Sequence, residues 1–327
     1  MKILVAGGAG YIGSVLVPML VEHGYEVDVI DLLWFGNNLP PNVNVVQKEL
    51  FRCTREDLAP YEQVVFLAGL SNDPMAEYNP AKNFIDNAAL PAYIAFLARS
   101  AGVRRFILAS SCSVYGYTVD KLYDEEAPTI STYPYGISKL QGELAARQLA
   151  SREFSVISLR QGTISGYSPR MRFDLIVNTM FKTAVTQKKV VVNNPAIWRP
   201  IYDIRDAATA FVRAIQADYA VSGVFNVTSE NYTVGQVADM VKGEVEKRMG
   251  LKIAIELKNI QDFRNYKVAV RKARTYLGFT PIHSIADIID DLCDHYEAYG
   301  DFEQDRYYNI KVFKNLDSGV FEKDVLN

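Results

Sequence analysis

Lys2-Ile3-Leu4-Val5-Ala6-Gly7-Gly8-Ala9-Gly10-Tyr11-Ile12-Gly13 opens the chain with a short apolar run that breaks off in glycines. From about Ile12 to Glu22 the apolar residues recur at helical spacing, and a second apolar run, Glu26 to Ile30, ends at Asp31. Strand, glycine turn, helix, strand and acid thus follow in order, and each part answers a demand of a dinucleotide. Glycines allow a tight turn and let backbone N–H groups approach a pyrophosphate. The helix N-terminus attracts the anion, and the acid binds a ribose diol. Asp31 lies 18 residues beyond Gly13 and is followed by Leu32 and Leu33, with no arginine at hand to accept a 2′-phosphate. The reading is NAD rather than NADP, held by Gly7, Gly10, Gly13 and Asp31.

Outward from this unit the alternation continues. Strands are expected near Val43 to Val46, at Gln63 to Ala68 ending in Gly69, at Arg104 to Ala109 and at Phe154 to Leu159. Helices are expected at about Ala81 to Ser100 and Tyr135 to Arg152. Repeated βα units with apolar strands mean an α/β fold with a doubly wound parallel sheet. In such sheets ligands gather beyond the carboxyl ends of the strands, so the hydroxyls of Ser110-Ser111-Cys112-Ser113 should face the cofactor crevice. Beyond Gly166 the rhythm loosens. Helices near Phe173 to Thr186, Asp206 to Ala217, Val234 to Met249, Val270 to Leu277 and Ser284 to Tyr299 alternate with strands near Val190 to Val192, Val224 to Val227 and Lys252 to Leu257. The expected division is a Rossmann-type NAD-binding domain, 1–165 plus about 202–227. A smaller, partly discontinuous substrate domain takes 166–201 and 228–327.

The 327 residues carry a formal net charge of −3 with the signs interspersed, which leaves no electrostatic footprint for nucleic acid. The longest apolar runs, such as Val15 to Val21, fall far short of the roughly 20 residues of a membrane span. No signal peptide is read at the start, so a cytoplasmic protein is expected. Cys53, Cys112 and Cys293 are odd in number and far apart, and His23, His283 and His295 do not cluster with acids, so neither disulfide nor metal site is expected.

Tyr135 and Lys139 stand one helical turn apart, where side chains are neighbours. A cation beside a phenol favours the phenolate, but work near neutral pH needs a shift of roughly 3 units, about 4 kcal/mol, and so a second positive charge. Spacing alone does not single the pair out. Tyr78/Lys82, Tyr117/Lys121 and Tyr307/Lys311 share it, and only Tyr135/Lys139 opens an amphipathic helix.

With these residues in view the chain resembles an extended short-chain dehydrogenase/reductase of the nucleotide-sugar epimerase/dehydratase branch, over nearly its whole length. The family's glycine loop and acid match Gly7, Gly10, Gly13 and Asp31. Its catalytic Tyr-x-x-x-Lys matches Tyr135 and Lys139, and its catalytic Ser or Thr, ahead of a Val-Tyr-Gly, matches Ser111. Asn87 falls where the family has a structural Asn in the long helix. The resemblance extends the cofactor set to Tyr11, Ile12, Leu67, Ala68, Gly69, Asn87 and Lys139, and implies Ser71, Thr163, Arg172, Asn178, Arg199 and Arg264 as substrate contacts. Arginine suits a diphosphate because its fork matches phosphate oxygens. Arg170 and Arg172 either add to that set or stand as solvated surface charges. Asp203 and Asp206, at a helix start, read as caps. Thr163 departs from the Asn of many epimerases, and the loop Leu70-Ser71-Asn72-Asp73-Pro74 is unlike that of the better-known 4-epimerases.

The implied mechanism is removal of a 4-OH proton by Tyr135, assisted by Ser111, Lys139 and the cationic nicotinamide, with hydride transfer from C4 to NAD and return from bound NADH to the other face. The family's 4,6-dehydratases carry Asp-Glu after the catalytic Thr, and its glucuronate decarboxylases a Glu at the second of these positions. Here the pair is Cys112 and Ser113. C4 epimerisation is therefore the expected reaction, on a nucleotide-diphosphate sugar, in a homodimer. The alternatives are a 4-ketosugar reductase or 3,5-epimerase using Cys112, which also reads as a small buried apolar side chain, and a non-catalytic NAD-sensing regulator.

Overall fold

The computed structural model describes residues 1–258 and 264–318, and of residues 117–120 the backbone alone. The expected Rossmann-type sheet is present as seven parallel strands. Their order along the sheet is Asn44–Gln47, Glu26–Asp31, Lys2–Ala6, Gln63–Phe66, Arg105–Ser111, Ser155–Gln161 and Gly223–Val227. Strand order reverses between Lys2–Ala6 and Gln63–Phe66, and that is where a doubly wound sheet leaves its binding crevice. The two-residue period of the strands explains why both faces are covered. Ile3 and Val5, with Ile107 and Ala109, enter one core with Leu16 and Val17 of the helix Gly13–Glu22 and Phe211 of the helix Ile204–Gln216. Leu4 and Ala6, with Phe106 and Leu108, enter the other with Ile94, Ala95 and Ala98 of the helix Leu90–Ala101. Each such fully buried Leu or Ile contributes about 1.5–3 kcal/mol.

The helix expected over Ala81 to Ser100 is three joined pieces: Pro80–Phe84, a π-helical turn Ile85–Ala89, and Leu90–Ala101, closed by Gly102 at φ 87°. Asn87 sits in the π turn. The Tyr135 helix spans Pro134–Arg147, its start fixed by a proline in the first turn.

The chain leaves the large sheet after Gln161 and returns to it only at Gly223–Val227. In between, Trp198–Asp203 lies between Thr163–Ser165 and Glu230–Thr233 in a second sheet. Pro200 hides this strand from the sequence pattern, because a proline without an N–H argues against a central strand. A separate core joins Phe173, Val177 and Phe181 to Val237, Val241, Ile288 and Ile289. The expected Ser284 to Tyr299 helix breaks at His295 into Ile285–Asp294 and Tyr296–Tyr299. A terminal helix, Asn309–Asp317, escaped the sequence reading. Its Phe313 packs with Leu70 and Met75 beside the large sheet.

Asp203 caps Ile204–Gln216 as expected, accepting from the Arg205 N–H at 2.6 Å. Asp206 is not a cap. It accepts from the Ile282 and His283 N–H groups at 3.2 and 3.0 Å and ties that segment to the helix.

Candidate active site

A cleft of about 690 Å³ runs along the carboxyl ends of the large sheet. At one end the glycine loop turns from strand to helix. Gly7 has φ +79°, and a Cβ there would lie 2.5 Å from the Ala68 nitrogen; one at Gly13 would lie 2.2 Å from the Gly8 carbonyl oxygen. Side chains are excluded by backbone on both sides, as a loop that carries a diphosphate requires. Asp31, at the end of its strand, accepts from the Ala9 N–H at 3.0 Å and the Leu33 N–H at 2.8 Å. Burial raises its pKa, and these N–H groups offset part of the rise. The loop, Asp31 and the apolar Leu67, Ala68, Ile12 and Phe35 line one stretch of the cleft and offer the backbone, acid and apolar surface that NAD requires.

Further along the cleft lie Ser111, Ser113, Tyr135 and Lys139. Ser111 Oγ accepts from the Ser113 hydroxyl at 2.9 Å and lines the cleft together with the Tyr135 phenol. Lys139 Nζ lies 5.9 Å from the Tyr135 ring centroid and donates to the Ala109 carbonyl at 3.1 Å. The expected depression of the phenol needs Lys139 and the cationic nicotinamide together. In the protein alone the reverse holds: burial, and then the Asp73 carboxylate, push the Tyr135 pKa up, with Ser111 and Arg172 opposing. Burial also lowers Lys139 to about 8. The phenol is therefore neutral until positive charge arrives beside it.

The far end is lined by Ser71, Thr163, Arg172, Arg199, Arg264 and Tyr266. Asp73 pairs with Arg264 at 2.5 Å, while its other oxygen, Oδ1, is buried without a partner. Arg172 is buried and holds Asp174 through two hydrogen bonds, 2.8 and 3.1 Å. Arg170 is buried as well, so the solvated-surface reading of both arginines is wrong. Phe35 and Asn309 cover Arg170, and Asp174 holds Arg172 inside.

Three residues from the sequence reading do not line the cleft. Asn178 is fully buried and spends its amide on the Gly166 backbone, Tyr11 Oη and the Arg172 carbonyl. Asn87 donates to the Leu70 carbonyl at 2.9 Å and shapes the loop from behind. Cys112 is fully buried, its Sγ 3.2 Å from the Arg160 carbonyl oxygen, and burial drives its pKa far up. A thiol in that position has no route to a sugar. Asp73 and Tyr266 were missed as cleft residues, and nothing in their local sequence marks them, whereas Arg170, one of the two arginines expected either to join the substrate set or to be solvated, does line the cleft.

With this geometry in place, the chain can be set beside known proteins. The family described as NAD dependent epimerase/dehydratase matches residues 3–228. The chain is 27% identical over 322 residues to UDP-glucose 4-epimerase of Corynebacterium glutamicum, covering 92% of this chain and 97% of that protein. It is 27% identical over 308 residues to UDP-glucuronic acid decarboxylase 1 of Arabidopsis thaliana, covering 88% and 68%. The solved structure of MoeE5 with UDP-glucose and NAD superposes with a TM-score of 0.80 at 25% identity, covering 91% of this chain and 99% of that one.

Proposed function

The chain belongs to the NAD dependent epimerase/dehydratase family, and from that premise we propose that it interconverts the C4 epimers of a nucleotide-diphosphate sugar through a transient 4-keto sugar. The uridine diphosphate hexoses that similar enzymes are named for are the first candidates. Gly7, Gly10, Gly13 and Asp31 hold the cofactor. Bound NAD supplies the acceptor and donor of the C4 hydride and a positive charge on its oxidised ring. Tyr135 removes the 4-OH proton once that charge and Lys139 stand beside it, Ser111 hydrogen-bonds the same oxygen, and Arg199 and Arg264 take the diphosphate. Asp73 Oδ1 is an acceptor for a sugar hydroxyl.

The observation that carries epimerisation over elimination is the state of the acids near Tyr135. Asp73 is salt-bridged to Arg264 and Asp174 to Arg172, and the positions after Ser111 hold Cys112, buried away from the cleft, and Ser113. No unpaired carboxylic acid stands ready among them to expel water. With Cys112 sealed off, the 3,5-epimerase reading loses its thiol acid or base, while a 4-ketosugar reductase would keep Tyr135 as its proton donor and is separated by its net use of reduced cofactor. Residues 1–165 with about 202–227 are read as the cofactor half, and 166–201 with 228–327 as the sugar half.

Among the described residues no helix is long and apolar enough to cross a membrane, and the reading includes a cytoplasmic location. It also includes a homodimer. Phe84, Ile85 and Phe96 on the long helix and Ile137 and Leu144 on the Tyr135 helix are 40–57% exposed, an apolar face suited to a bundle with a second copy. The test of function is incubation with UDP-, GDP-, CDP- and dTDP-sugars. An isomer of unchanged mass is expected, with no net consumption of NAD, and none from Tyr135→Phe. A product lighter by one water, or stoichiometric use of reduced cofactor, would overturn the proposal.

A further inference from the structure

Arg170 is the most conspicuous unassigned charge near the cleft. It is 3% exposed, its guanidinium carbon sits 3.5 Å from the ring centroid of Phe35, and its Nη2 donates to Asn309 Oδ1. Its Nε and Nη1 are buried with no hydrogen-bond partner. Burying a cation with unmet N–H groups is costly unless an anion compensates, and burial lowers its pKa to about 9. The neighbouring acids are committed elsewhere: Asp174 to Arg172, and Asp31 to the Ala9 and Leu33 N–H groups. Phe35 and Asp31 place the guanidinium at the glycine-loop end of the cleft rather than the end lined by Arg199 and Arg264.

We propose that Arg170 is a cofactor anchor reaching over from the segment that follows Gly166. It supplies the orphan N–H groups to the diphosphate of NAD, on the side opposite the glycine loop. The ligand chemistry is a diphosphate, and the sugar substrate carries one too, so the two sources need separate arms. Asn309 acts as a positioning residue. It joins Arg170 to Ser71, whose hydroxyl accepts from Asn309 Nδ2 at 2.5 Å, so the start of the terminal helix holds the anchor in place. The inference rests on the family's cofactor and not on the identity of the sugar.

The experiment compares wild type, Arg170→Met and Arg170→Lys for binding of NAD, ADP-ribose and UDP by calorimetry, and for melting temperature with and without NAD. Arg170→Met is expected to weaken NAD and ADP-ribose on the order of 10- to 100-fold, the worth of one or two charge-assisted hydrogen bonds. UDP should bind unchanged, and the lysine variant should recover part of the loss. Because the NAD-free protein sheds an uncompensated buried charge, its melting temperature should hold or rise in Arg170→Met while the increment from NAD shrinks. A fall in the NAD-free melting temperature with NAD affinity intact would assign Arg170 to structure. Loss of UDP affinity alone would assign it to the substrate. Either result overturns the proposal.

Discussion

Replacing Glu143 with leucine tests the scaffold beneath Ser111, the serine proposed to act on the sugar. Glu143 lies one turn beyond Lys139 on the Tyr135 helix, is fully buried, and accepts from Ser110 Oγ at 2.7 Å and from Arg160 Nε and Nη2 at 2.9 and 2.7 Å. Without it, Arg160 keeps its charge 3% exposed, with Tyr115 Oη at 2.9 Å and the Glu125 carbonyl at 3.5 Å as remaining partners. Breaking a buried pair in this way costs about 3–5 kcal/mol. An unfolding entropy of about 2.1 cal/mol/K per residue gives about 0.7 kcal/mol/K for 327 residues. The expected drop in melting temperature is then about 4–7 °C. Glu143→Leu/Arg160→Met removes both charges, and Tyr115 retains Asn226 Oδ1 at 2.8 Å. The double variant should therefore be more stable than Glu143→Leu by about 2 kcal/mol. Equilibrium urea unfolding at saturating NAD reads this directly. If the double variant loses the full sum of the single losses, the desolvation argument is refuted and the pair is a net stabiliser in its own right.

Three further outcomes are expected. Lys139, lowered by burial to about 8, opposes folding when charged; that penalty is present below about pH 8 and is relieved as pH rises toward the unfolded value of about 10.5. Wild type should accordingly gain on Lys139→Met in melting temperature from pH 7 to pH 10, and a constant gap between them would contradict the burial of a charged amine. Gly13→Ala places a Cβ 2.2 Å from the Gly8 carbonyl oxygen and should weaken NAD at least about tenfold, roughly 1.4 kcal/mol; calorimetry showing unchanged affinity would mean that the loop is not held by backbone contact. Phe96→Glu with Leu144→Glu, on the exposed apolar faces of two helices, should yield monomers by light scattering. Persistence of a two-chain mass would move the interface elsewhere.

The parallel sheet could be read from the sequence because its strands are continuous apolar runs between turn glycines, and the glycine loop with Asp31 could be read because a dinucleotide imposes both spacing and order. What stayed hidden depends on the third dimension. Pro200 disguised the strand Trp198–Asp203, whose partners lie at Thr163–Ser165 and Glu230–Thr233. Asp73 faces Tyr135 through the fold of its loop and not through any local pattern, and its pairing with Arg264 joins residues 191 positions apart. Arg170 and Arg172 looked like surface charges because a loop sequence carries no sign of what packs over it. What the sequence hid at Tyr135 is the depth of its burial, which raises the phenol in the protein alone and leaves the expected depression to Lys139 and the cationic nicotinamide together. Cys112 shows the reverse case: the bland reading of a small buried side chain is the one its surroundings favour.

The late return of the chain to its large sheet has a consequence during synthesis. Until Gly223–Val227 has left the ribosome, Ser155–Gln161 is the outermost strand on that side, with its row of backbone donors and acceptors open to any passing strand. More than sixty residues must be translated in the interval, several seconds at about 5–20 residues per second. For that time a nascent polypeptide that has already formed its cofactor crevice carries an adhesive flank. A fragment ended at the glycine after Ser165 would carry it permanently, and its solubility, rather than its affinity for NAD, would decide whether the first half can be studied alone.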